Sequence, residues 1–78
     1  MQPIESIRLS DYTDAAGLMA AINAFPTKDS LIWFVRRHRD ALAKEAAIIF
    51  VTGRILYHPL RFEQVVLDIG QRATRSLA

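Results

Sequence analysis

The chain has 78 residues, 51% of them hydrophobic and 23% charged, with a formal net charge of +2; that balance suits one globular domain, 1–78, with a thin core, and excludes a disordered chain. It has no cysteine, which rules out a disulfide scaffold, a thiol nucleophile and any Cys-ligated zinc or iron–sulfur site. The longest apolar run, Ala46 to Val51, is far below the roughly 18 residues of a membrane span, and Met1-Gln2-Pro3-Ile4-Glu5 shows no basic segment leading into an apolar stretch, so a cytoplasmic protein without a membrane partner is expected.

In chain order, Ile4-Glu5-Ser6-Ile7-Arg8-Leu9 alternates weakly and suits a short strand or extended arm. Ser10-Asp11-Tyr12-Thr13 supplies several candidate N-caps, because a short side-chain oxygen accepts from the free N–H groups of a first helical turn. A first helix is expected over Asp14 to Ala24, with Leu18, Met19 and Ile22 as its apolar stripe and Gly17 as a point of close packing. Phe25-Pro26 ends it, since the residue before proline is driven out of the α region.

The second helix carries the strongest signal. Thr27 is the expected N-cap, Asp29 suits the positive helix N-terminus, and no breaker precedes Ala47. One continuous helix over 28–45 is therefore expected, about 27 Å long at 1.5 Å per residue. Leu31, Phe34, Val35, His38 and Leu42 form its buried stripe, and Lys28, Ile32, Trp33, Arg36, Arg37, Arg39 and Asp40 its outer side.

Next come Ile48 to Val51 and Arg54 to Tyr57, β-branched or aromatic, around the turn residues Thr52-Gly53. They read as a β-hairpin whose inner side is built by Ile48, Phe50 and Ile55 or Tyr57. His58-Pro59 opens a last helix, with proline at the first helical position, where its missing N–H is harmless. Its stripe is Leu60 or Phe62, then Val65, Val66, Ile69 and Ala73, with fraying expected after Gly70. The expected fold is α+β, a small winged helix-turn-helix in the order short strand, helix, helix, β-hairpin, helix.

Signals for catalysis are poor. His38 and His58 have no His or carboxylate partner three or four residues on, so no metal-binding helix face is encoded. His38 falls on an apolar stripe and reads as a core or boundary side chain; His58 reads as a cap or surface residue. The three glycines stand alone, without a phosphate-cradling loop. No enzymatic activity, cofactor, metal or small-molecule substrate is expected.

The charge distribution says more. Residues 1–27 carry Arg8 against Glu5, Asp11 and Asp14; residues 28–54 carry Lys28, Arg36, Arg37, Arg39, Lys44 and Arg54 against Asp29, Asp40 and Glu45. The middle third is therefore where a polyanion is attracted. A helix in the B-DNA major groove reads bases from its first turns and grips phosphates further along. Thr27, Lys28, Ser30, Trp33, Arg36, Arg37 and Arg39 are placed for that role, with Arg54 reaching phosphate or minor groove from the hairpin tip. The plain alternative is that these arginines solvate an amphipathic helix, pairing partly with Asp40 and Glu63, while Trp33 stacks with Arg37 one turn later.

The succession Arg8-Leu9-Ser10-Asp11-Tyr12, Thr27 to Arg39, Ala47 to Arg54, Ile55-Leu56-Tyr57 and Pro59-Leu60-Arg61-Phe62-Glu63 resembles small excisionase or AlpA-type winged-helix proteins, relatives of MerR-like domains. The resemblance covers most of residues 8–69. It implies a DNA-binding architectural factor or transcriptional regulator of the kind encoded on phages, plasmids or integrated elements, with a recognition helix at 28–45 and a wing at 47–57. A glycine commonly closes the recognition helix in that group, and here Ala46-Ala47 occupies the place. Double-stranded DNA is the expected partner, with self-association on DNA through Leu67, Leu77 and Trp33. The rival expectation is an adaptor or inhibitor that docks the basic helix on an acidic protein.

Overall fold

A computed structural model describes residues 8–77. Among them the order is α1 (Ala15–Ala21), α2 (Lys28–Arg37), α3 (Arg39–Lys44), β1 (Ile48–Val51), β2 (Arg54–Tyr57) and α4 (Pro59–Leu77). This is the expected α+β winged helix-turn-helix order. Most of the expected N-terminal strand, residues 4–7, lies outside the described residues; Leu9–Asp11 forms a 3₁₀ turn instead of continuing it.

Asp14, rather than any residue of 10–13, caps α1, its carboxylate accepting from Gly17 N at 2.9 Å. Helix α1 also ends three residues earlier than expected, with Ile22 extended at φ −127° and ψ 139°. That geometry turns Ile22 into the core, where it is buried beside Leu18. The link to α2 thus spans residues 22–27 rather than a tight three-residue turn. Thr13 bridges β2 through a reciprocal backbone pair, Thr13 N to Tyr57 O at 2.7 Å and Tyr57 N to Thr13 O at 2.8 Å.

The expected single helix over 28–45 is two. His38, at φ −119° and ψ 28°, leaves the helical region and separates α2 from α3. Burial is the physical reason: the break lets Leu42 and Ala47 enter the core that already holds Leu31 and Val35. A straight rod of about 27 Å would carry its far end past so small a core. Helix α3 closes through Ala46 at φ 59°, with Ala47 N donating to Leu42 O at 2.8 Å. This is the left-handed closing turn that helices usually build on glycine.

The hairpin pairs Ile48 with Tyr57, Ile49 with Leu56, Phe50 with Ile55 and Val51 with Arg54. Both turn residues take positive φ, Thr52 at 50° and Gly53 at 79°, the twist that suits a two-residue hairpin. Phe50 shares a face with buried Ile48 and Tyr57 but overhangs the core and is 63% exposed, contrary to the expected inner position. His58 caps α4, its Nδ1 accepting from Arg61 N at 3.2 Å. Phe62, not Leu60, is the buried residue of the first turn. Helix α4 runs on to Leu77 rather than fraying at Gly70, and Ala73 is exposed.

Phe62 sits at the centre of an aromatic cluster, 6.0 Å from Phe25, 5.9 Å from Phe34 and 5.8 Å from Tyr57 between ring centroids. This cluster ties α2, β2 and α4 together. Edge-to-face and tilted ring pairs add directional preference to the area they bury, which fixes relative rotations.

Candidate nucleic-acid interface

The first turn of α2 is locked by its own side chains. Thr27 Oγ1 accepts from Ser30 N at 3.1 Å, while Ser30 Oγ accepts from Thr27 N at 3.2 Å and donates to Thr27 O at 2.6 Å. Such reciprocal capping satisfies N–H groups that a helix start leaves free. It also engages the Ser30 hydroxyl, so Ser30 acts chiefly as a positioning residue. Asp29 in the first turn and Arg36 and Arg37 in the last suit the helix dipole.

Leu31 and Val35 are buried and Phe34 is half-buried against Phe25, at 5.3 Å, and His38, at 4.5 Å. With that stripe inward, the 3.6-residue period turns Lys28, Ile32, Trp33, Arg36 and Arg37 outward, and all five are exposed. Trp33 is 60% exposed, with the Arg37 guanidinium 5.4 Å from its ring centroid. The stack holds one cation over an aromatic face and keeps both side chains on the outer surface.

The break at His38 brings Arg36, Arg37 and Arg39 around one polar depression, completed by His38, Asp40 and Ala41. A straight helix is convex there. The one ion pair within 4.0 Å among the described residues joins Arg72 to Asp68 on α4, at 3.0 Å. Asp40 and Glu63 therefore make no ion pair with Arg36, Arg37 or Arg39, and this basic surface keeps its charge available. Arg54 is exposed beside the Thr52-Gly53 turn, on the hairpin face opposite Ile48 and Tyr57.

A larger groove lies elsewhere, between α3 and α4, with Lys44, Arg61 and Arg72 facing Glu45 and Asp68 over Val65 and Ile69. Arg61 Nη1 donates there to the carbonyl of Glu45, at 3.3 Å, serving the last turn of α3. Sequence spacing gives no hint of this groove, because its two walls are sixteen or more residues apart. Its mixed charges largely balance, unlike the depression on α2–α3. Among the described residues no three His, Cys, Asp or Glu gather as a metal-binding group, and no helix is long and apolar enough to cross a membrane. Comparison of the chain with family models, curated proteins and solved structures finds no match.

Proposed function

We propose that the chain is a small DNA-binding protein of the excisionase or AlpA type, acting as an architectural factor or transcriptional regulator rather than as an enzyme. Helix α2 enters the major groove with Lys28 and Trp33, while Arg36, Arg37 and Arg39 hold the adjacent phosphates. Arg54 on the hairpin adds one contact from the wing. The observation that carries this reading is the unpaired basic surface at the α2–α3 break, set on a helix whose opposite side is anchored in the core. A convex helix that merely needed solubility would not require its cations gathered around one depression.

Phosphate contact makes binding salt-dependent, because each neutralised phosphate releases condensed counterions. With about four to six contacts, a titration of duplex DNA across several salt concentrations should give a slope of log K against log salt near −4 to −5. A flat salt response, or no complex at low salt with folded protein, overturns the proposal and points instead to an acidic protein partner.

A further inference from the structure

On the outward side of α2, two apolar side chains stand among cations. Ile32 is 37% exposed and Trp33 60%, and neither belongs to the core or to the residues packed against it. They lie side by side on the helix surface, with Arg36 one turn beyond Ile32 and Arg37 one turn beyond Trp33. The Arg37 guanidinium covers one part of the indole, 5.4 Å from its ring centroid. The rest of the ring is open.

The polar groups of the first turn are engaged or unsuited to gripping a polyanion. The Thr27 and Ser30 hydroxyls close the helix start on each other. Asp29 suits the helix N-terminus and repels phosphate. Lys28, Arg36 and Arg37 make no ion pair within 4.0 Å among the described residues, so the rim of this face draws negative charge. The same cations oppose a second copy of the chain laid on it, since like charges set against each other are costly.

We infer that Ile32 and Trp33 read thymine by packing on its C5-methyl group in the major groove, an inference that rests on the DNA-binding reading above. Base pairs present donors and acceptors along that groove, and the thymine methyl is the apolar group among them. An apolar pair ringed by phosphate-binding cations fits that edge best. Over guanine or cytosine the same pair, with the indole N–H as its single donor, leaves polar edges covered and unpaired, which costs free energy. The chain therefore prefers A·T pairs under the second turn of α2.

Duplexes of alternating adenine and thymine, titrated at low salt beside the same duplexes with uracil for thymine, test this. Uracil lacks only the methyl, and the alternation offers methyls in every register or in none. The thymine duplex should bind at least about fourfold more tightly, the worth of one buried methyl. Ile32→Ala with Trp33→Ala should bring the two duplexes to equal affinity, with the fold retained by circular dichroism because both side chains are exposed. Trp33 is the one tryptophan of the chain, so emission from the free protein should be that of a water-exposed indole. Equal affinity for the two duplexes, a preference that survives the double substitution, or an indole already shielded in the free protein overturns the inference and leaves DNA binding standing. No complex with either duplex overturns the DNA-binding reading and this inference together.

Discussion

Gly17 stands where helix propensity alone favours alanine, by about 1 kcal/mol. Tertiary geometry reverses the preference. A Cβ at Gly17 would collide with the Thr13 side chain, whose backbone is pinned to Tyr57 on the hairpin. Gly17→Ala should therefore lower stability, by about 1–2 kcal/mol net of the propensity gain, as overpacking does; urea denaturation reads the change, and a more stable variant would contradict it. The two tyrosines make a second prediction at this scale. Burial raises the pKa of Tyr57 above its usual 10.0. Burial also raises Tyr12, with Arg61 opposing and Asp11 adding to the shift, and the Tyr12 hydroxyl donates to Ala46 O at 2.8 Å. A phenol whose folded pKa is raised favours folding while it is neutral in both states. That contribution is whole below the unfolded pKa and is lost as pH climbs through the folded one. Thermal midpoints should consequently fall above about pH 10, and Tyr57→Phe should flatten the fall.

Among the elements, the end of α3 carries an unusual conformation. Ala46 adopts φ 59°, a region that costs an L-residue roughly 1–2 kcal/mol and glycine almost nothing. Glycine loses part of that advantage through its freer unfolded chain. Ala46→Gly should thus stabilise the protein by about 0.5–1 kcal/mol, seen as a higher thermal midpoint, with the hairpin register unchanged. No rise would mean that surrounding contacts, such as the Tyr12 hydroxyl on Ala46 O, already relieve the strain. The wing turn has the same character at Thr52, φ 50°. Both departures from glycine sit where the chain enters or reverses the hairpin, and Gly53 alone follows the usual chemistry of such turns.

For the molecule as a whole, the binding surface and the core should separate cleanly in experiment. Arg36→Ala with Arg37→Ala should weaken duplex DNA binding and leave the thermal midpoint nearly unchanged, because exposed, unpaired cations contribute little to folding. Phe62→Ala should do the opposite. Phe62 is fully buried and touches three other rings, so its removal should cost about 3–5 kcal/mol, much of what a chain this size possesses. Phe34 lies half-exposed at the edge of the same cluster, and its truncation should cost less than that of Phe62. If the double arginine variant unfolded, those side chains would be structural and the basic depression would lose its assigned role.

The elements legible from sequence are those set by local chemistry. Thr27 as a cap, Pro26 before it, the two four-residue strands around Thr52-Gly53, and His58-Pro59 opening α4 all depend on residues within a few positions of one another. The outward set on α2 followed from the 3.6-residue period, which holds over the ten residues that are helical. What tertiary structure decided is where the period is interrupted. His38 offers no local reason to break a helix, and the stripe from Leu31 to Leu42 stays in phase through it. Only the gain from bringing Leu42 and Ala47 into one core favours the bend, and that gain depends on residues from β1, β2 and α4. The gathering of Arg36, Arg37 and Arg39 around one depression is a consequence of that bend. Tertiary structure also decided how much of α4 is covered: its helix-forming residues carry it to Leu77, whereas among the described residues the core beneath it stops near Ile69.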